Sequence, residues 1–421
     1  MTSHRRFSIA LALAALALVA APVRGDETVV TINSAMNCTH PQWRPDGEWI
    51  LYHATKPTDA SFHQIRKVRP DGTGDMMVVS NSTLRLGSAR WSPVTDNGSS
   101  PRYWIAYAAD DPVTSGSGRI YLARDKDPGE LTGVSRQRTT DAFPGHDHGA
   151  PRFSPDGAFV VFEYSAAPAA GRVAAYRAYS SITFDSHGST VAAALPKDIF
   201  PIAMERSVYA QNGSLLGNTA IRRPVPSPDG LFVAGVRQTG LSPVERLVQR
   251  MHPTGHAFGY PDDQNTIDLS RFVIDPTDPF TLLDVVDAYD AEWRPIASET
   301  FVTCTVKLGG ETTTEIAYFT PDDEIGTLLT RNSASDRNPV WNVGDGPFGC
   351  RFIAFVREGV NPQIWVVHQD PADGEFRVSA NTNTSYDNPS WSPDDFTKVA
   401  YQKRVLGKWQ IAWGEAFCPI H

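Results

Sequence analysis

A short motif recurs along this chain, and a repeat at this spacing leaves few folds open. Trp391-Ser392-Pro393-Asp394-Asp395 is followed by Lys398-Val399-Ala400-Tyr401. Phe153-Ser154-Pro155-Asp156-Gly157 precedes Phe159-Val160-Val161-Phe162, and Trp43-Arg44-Pro45-Asp46-Gly47 precedes Trp49-Ile50-Leu51-Tyr52. Pro226-Ser227-Pro228-Asp229-Gly230 precedes Phe232-Val233-Ala234-Gly235. Degraded copies start at Trp91, Trp293 and Trp341. The first residue of each copy is called its anchor here. A period of a few tens of residues marks supersecondary units that stack on one another.

Each copy reads as strand, tight turn, strand. In Pro-Asp-Gly, proline presets φ, aspartate bonds its own backbone and glycine accepts a positive φ. The runs that follow are rich in Val, Ile, Phe and Tyr, as strands are. Further apolar runs complete most units, such as Ile65 to Val68 and Met76 to Val79 after Trp43. Four strands per unit make a β-propeller blade, and a blade buries its faces only against neighbours. The expected fold is therefore all-β: a seven-bladed β-propeller of four-stranded blades. Six blades with an irregular insert is the alternative, because Pro226 replaces the aromatic anchor of the fourth copy. The last unit lacks a fourth strand after Trp413, and Thr28 to Ile32 is a short β-type run. The N-terminal run is expected to pair into the last blade and close the ring.

Pro41, Pro151, Pro224, Pro339 and Pro389 each sit two residues before an anchor. Proline, any residue, aromatic, Ser-Pro-Asp-Gly, then an apolar strand resembles the repeat of TolB-type (WD-like) β-propellers. The resemblance covers nearly the whole chain after residue 25. Three copies depart from it. The Trp91 copy inserts Val94 to Pro101, the Trp293 copy has Ile296-Ala297-Ser298 in place of Asp-Gly, and the Trp341 copy replaces Ser-Pro by Asn-Val. The TolB-type N-terminal domain has no counterpart before Trp43. The resemblance implies protein contacts in a bacterial envelope. Fold alone does not imply function.

Formal net charge is −9, and no basic block occurs. That excludes a nucleic-acid partner held by a basic patch and an anionic membrane surface. Residues 1–25 read as a secretory signal, with Arg5 and Arg6 before an apolar run from Phe7 to Ala21. Cleavage is expected before Asp26, leaving residues 26–421 as one propeller domain, periplasmic or extracellular. No later segment is long enough to span a membrane as a helix. An exported chain can oxidise its four cysteines. Cys38 with Cys418 would staple the seam and Cys304 with Cys350 would join neighbouring blades; buried free thiols are the alternative.

The strand ending at each anchor should line the central channel. Residues three and four before the anchors then ring one mouth: His40, Ser88, Gly149, Arg222, Arg223, Asp290, Arg337, Asn338, Asp387 and Asn388. Such a ring suits a polar peptide or sugar bound through charge-assisted hydrogen bonds. The plainer reading is that these side chains bond loops between blades. Anchor spacings of 62, 73 and 67 residues in the middle of the chain exceed the 48 to 50 elsewhere. The units at about 148–221 and 222–287 are thus enlarged, and their insertions are expected to project over one side of the disc.

His146-Asp147-His148 precedes the third anchor, and two histidines flanking an acid fit a divalent metal. Propeller-shaped oligogalacturonate lyases use a histidine-rich site at the channel mouth, which this cluster distantly resembles. No Gly-x-Ser-x-Gly elbow is present. Ser92, Ser154, Ser227 and Ser392 sit inside the repeat, where a hydroxyl is better explained as bonding the turn. The leading expectation is an exported, non-enzymatic protein without a cofactor that binds a protein or peptide partner in the cell envelope. The alternative is a metal-assisted polysaccharide (oligouronate) lyase or a carbohydrate-binding propeller using His146 and His148.

Overall fold

A computed structural model of the chain describes residues 27–33, 35–96, 101–111, 118–128, 135–137, 147–155, 157, 159–166, 172–179, 199–203, 207–209, 215–229, 232–239, 242–250, 266–268, 272–296, 300–320, 325–342, 351–380, 382–393 and 397–416. Within this set, residues 135–137, 147, 148, 159, 163–222, 233 and 236–268 are described by their backbone alone. The protein is all-β, with small antiparallel sheets in a propeller-like arrangement and, among the described residues, one 3-10 turn at Pro371–Asp373 as its helical element. No helix there is long and apolar enough to cross a membrane.

Each sheet takes its name here from its anchor. The strands that end at the anchors are Asn37–Trp43, Arg85–Trp91, Asp147–Phe153, Leu215–Pro226, Asp278–Trp293, Asp336–Trp341 and Tyr386–Trp391. Each pairs antiparallel with the strand after its turn. The repeat's turn chemistry holds. Gly47 has φ +74° and its amide donates to the Arg44 carbonyl at 2.8 Å. The serine hydroxyls close the turns from within: Ser92 Oγ accepts from Trp104 N and Ser227 Oγ from Phe232 N, both at 2.8 Å. In the Trp341 copy, the Asn342 amide oxygen takes the same role toward Phe352 N.

The cores lie between sheets. Leu51, Ile65 and Val78 of the Trp43 sheet pack on Leu86, Trp91 and Ile105 of the next. Phe352, Val356 and Ile364 pack likewise on Trp391, Val399 and Tyr401. Middle strands are buried on both faces, as Ile353, Ala354, Phe355 and Val356 show at 0% exposure. Burying such a side chain stabilises by about 1.5–3 kcal/mol, and here all of that burial is owed to a neighbouring sheet. Polar ties add direction. Trp293 Nε1 donates to the Val225 carbonyl at 2.8 Å, and Trp391 Nε1 to the Val340 carbonyl at 2.9 Å, so these anchors bond the sheet before their own. Lys67, fully buried, reaches Asp125 across the first interface at 2.6 Å, and Arg44 meets the same carboxylate at 2.9 Å.

The N-terminal run closes the Trp391 sheet as expected. Thr28–Val29 pairs with Lys408–Glu415 in the register Thr28↔Trp413 and Val29↔Ala412. The Gln410 side chain then bonds the carbonyls of Asn33 and Met36.

Four strands per sheet is not universal. The Pro226 sheet has five, and it includes Thr266–Asp268 from the region expected to project as an insertion. Phe272–Asp275 from the same region folds back as a hairpin on Asp278–Trp293 and also pairs parallel with Ile325–Leu328, closing the Trp293 sheet on itself. Two aspartates make the hairpin turn: Asp275 accepts from Thr277 N and Oγ1, and Asp278 from Phe280 N. Part of this enlarged unit is therefore ordinary sheet, because an unpaired strand edge has more to gain from a strand than from a loop.

Burial of a carboxyl between the Trp293 and Trp341 sheets makes this interface pH-sensitive. Glu315, at 0% exposure, accepts from Thr330 Oγ1 at 2.9 Å and from Asn332 N at 3.2 Å. Desolvation, aided by the charges of Asp336 and Glu311, pushes it up to about 7 against those two hydrogen bonds. Asp336 beside it is held by a fork from Arg357 at 2.8 Å. A carboxyl raised in the fold contributes its stability below its unfolded value and loses it as pH rises through about 7. The stability of the native chain relative to Glu315→Gln should therefore fall between pH 5 and pH 8, by roughly 3 kcal/mol at about 1.4 kcal/mol per unit. Melting curves of both chains across that range check it, and a pH-independent difference would refute it.

Candidate functional site

Among the described residues, eight non-glycine residues have positive φ, and seven of them sit three residues before an anchor. They are His40, Ser88, Ala150, Arg223, Asp290, Asn338 and Asn388, with φ between +45° and +59°. At each the ladder slips by one residue, as between Thr39 and Gln42 or between Arg337 and Val340. This is a β-bulge repeated in every anchor strand. An ordinary bulge places its first residue near the right-handed α region, but the proline that follows disfavours that region for the residue before it. All seven copies place the inserted residue in the left-handed region, Ser88 and Asp290 included although alanine follows them, at about 1–2 kcal/mol for a side chain with a Cβ. Asn, Asp and His are the residues that tolerate it best.

Proline also removes an amide that the bulge leaves without a ladder partner. Where the second copy has Ala89 in place of proline, its amide donates to His53 Nε2 of the preceding sheet at 3.1 Å. His53 is held far below the usual histidine range, at about 3, by burial and by the charges of His40 and Arg90. It stays neutral with Nε2 as acceptor.

These positions face one cavity of about 370 Å³, lined by His40, Ser88, Ala150, Arg223, Asp290, Asn338 and Asn388. The anticipated ring thus divides. His40, Arg223, Asp290, Asn338 and Asn388 line the mouth, as does Ser88; Ala150 takes the place expected for Gly149. Arg223 Nη1 pairs with Asp290 Oδ1 at 3.0 Å. Arg337 and Asp387 do not line the cavity. They join two sheets beside it, with Arg337 Nη1 at 2.7 Å from Asp387 Oδ1 and a second bond from Arg337 Nε to Glu358. For those two the structure shows a bond between neighbouring sheets, made by residues that precede the slip. The Arg222 side chain, His146, Cys350 and Cys418 lie outside the described residues, and His148 is described only as backbone in Asp147–Phe153. Cys38 and Cys304 are buried at 0%, and burial pushes the Cys38 thiol up to about 11.

One tier of the channel was not anticipated. Residues immediately before the anchors point inward: Arg90, Arg152, Val225 and Glu292 line the mouth cavity and also a second one, about 460 Å³, on its far side. The second cavity is walled by Trp91, Phe153, Trp293 and prolines of the turns. Arg152 Nη2 lies 3.7 Å from Glu292 Oε2. The signal was available in the alternation of a strand, since an anchor buried between sheets turns its predecessor the other way.

No protein-family model matches the chain, and no curated protein does. Among solved structures, a puromycin-hydrolyzing peptidase of Mycobacterium tuberculosis is 14% identical, with 94% of this chain and 54% of that chain covered at a TM-score of 0.58. A prolyl endopeptidase is 13% identical, with 92% and 51% covered at 0.52. TolB from Acinetobacter baumannii is 16% identical, with 81% and 63% covered at 0.43. The chain spans about half the length of the peptidases it matches. At these identities the likeness speaks for the propeller fold alone.

The pairing of His53 with the Ala89 amide predicts a specific rescue. His53→Phe should destabilise by about 1–3 kcal/mol, since it orphans a buried donor. Adding Ala89→Pro, the residue that most other copies carry at this place, should restore most of that loss. A double-mutant cycle in denaturant measures it, and independent, additive effects would show that the amide is not the cause.

Proposed function

We propose that residues 26–421, after removal of a signal peptide at 1–25, form an exported, non-enzymatic, seven-bladed β-propeller that holds a protein or peptide partner of the cell envelope at the channel mouth. The observation that carries this reading is the ring of left-handed positions. Strained, fixed backbone places His40, Arg223, Asp290, Asn338 and Asn388 around one opening, and residues in sparsely populated backbone regions cluster where function over-determines them. They offer both donors and acceptors, which suits a polar chain more than a single ion. Seven anchor strands, each with the same slip, support the blade number. Pairing of Thr28–Val29 into the last sheet supports a domain beginning close to Asp26. The lyase reading would need His146 and His148 to converge with a third ligand, and His146 lies outside the described residues.

Two measurements test this. N-terminal sequencing of the chain recovered from outside the cytoplasm of cells that make it should begin at Asp26. A photo-crosslinking amino acid at Asn388 should trap one defined partner, identified by mass spectrometry. The adduct should vanish in the Asp290→Ala/Asn338→Ala background and be absent when the crosslinker sits at Val360, which is fully exposed on a loop. Equal capture from both positions, or capture indifferent to the rim substitutions, would remove the mouth from consideration.

A further inference from the structure

Among the described residues, the tier beneath the mouth carries a charge that is not balanced. Arg90 and Arg152 stand there, and the one described carboxylate lining the same tier is that of Glu292. Glu292 approaches Arg152 only to 3.7 Å, too far for a hydrogen bond. Arg90 has no carboxylate within ion-pair distance among the described residues, and its protein acceptor is the Ala89 carbonyl of its own strand at 3.5 Å. It is partly buried. A guanidinium withdrawn from water and left unpaired is costly, and proteins pair such groups or bind something that does. Burial and the neighbouring Arg152 charge push Arg90 down to about 9, which still leaves it cationic at neutral pH. This occurs in a chain whose formal net charge is −9, so the positive site is local and not a by-product of composition.

We infer that the channel binds a monoanionic carboxylate carrying an apolar substituent, with the carboxylate between Arg90 and Arg152 and the substituent in the far cavity. Two planar guanidinium groups match a carboxylate's two oxygens through paired N–H donors. Two cations and one anion leave a single excess charge, which one carboxylate neutralises; a dianion would press against Glu292. The far cavity, about 460 Å³ and walled by Phe153, Trp293, Pro93, Pro155 and Pro295, has the size and apolar lining of a small-ligand site. Both a free aryl or alkyl acid and the C-terminus of a peptide with an apolar last residue carry this chemistry. The inference rests on reading the channel as the binding site.

Calorimetry on the full chain at low salt tests it with phenylacetate, phenylacetamide, phenyl phosphate, the tripeptide Gly-Gly-Phe and its C-terminal amide. At least one of the two acids should bind ten-fold or more tightly than its amide, and phenyl phosphate should bind more weakly than phenylacetate. Which acid binds identifies the source of the carboxylate. In Arg90→Met, acid binding should be lost while the melting temperature of the ligand-free chain rises, because an unpaired buried charge has gone. An arginine serving the fold would lower it. Amides binding as well as acids, acid binding unchanged in Arg90→Met, a tighter phenyl phosphate, or a lowered melting temperature would each overturn the inference. Crosslinking from Asn388, repeated in Arg90→Met, separates the two readings. Partner capture that persists while both acids fail to bind would sink only the carboxylate site. Acid binding in a chain that captures no partner would sink only the partner reading.

Discussion

One extra residue in each anchor strand, held in the left-handed region, is the constraint on which the channel depends. It interrupts the ladder at the same distance from every anchor. Before the slip, Arg337 and Asp387 meet across two neighbouring sheets. The left-handed residues themselves face the mouth, and the residues just before the anchors face the level beneath. Proline fits this geometry twice over, since it disfavours the right-handed alternative before it and donates no amide that would need a partner, although Ser88 and Asp290 hold the same backbone before alanine. Ala89 shows what its absence requires: an acceptor brought from another sheet, and a histidine kept neutral to serve as one.

Stability is owed to a different surface. The anchors and the middle strands are buried by neighbouring sheets, so no sheet is stable alone and the ring has to close. Closure then settles the edges. The last sheet takes its outer strand from Thr28–Val29, and the Trp293 sheet takes Phe272–Asp275 against its own final strand. Both arrangements use a chain segment to cap a row of amides and carbonyls that would otherwise recruit another molecule.

The fold was legible because its determinants are local and repeated. Pro-Asp-Gly turns, apolar runs and anchor aromatics each announce themselves within a few residues, and the closing strand followed from a missing one. The Phe272–Asp275 pairing was not legible, because a parallel contact with Ile325–Leu328 spans some fifty residues and leaves no local mark. Of the residues lining the mouth cavity, His40, Ser88, Arg223, Asp290, Asn338 and Asn388 were legible from strand direction, and Ala150 was not. Their neighbours one position earlier were not, since a one-residue slip reverses facing and carries no sequence signature beyond the proline itself. Arg90, Arg152 and Glu292 are legible only through the simple alternation of a strand about a buried anchor, which turns them inward.

The position before the anchor is also where the repeat stops repeating. In chain order it holds Gln42, Arg90, Arg152, Val225, Glu292, Val340 and Ser390. The anchors beside it are aromatic in six of seven copies, and the residues two before are Pro or Ala throughout. Burial between sheets explains the anchors, and the bulge explains the prolines. Neither acts on a side chain that points into the channel. Some members of this tier still serve the fold, as Gln42 does by accepting from the Trp91 amide at 3.2 Å and Val225 by joining the core between sheets; Arg90, Arg152 and Glu292 are charged where other copies are not. The scaffold is nearly uniform, and the differences between its copies are concentrated at this position on the inner edge of its sheets.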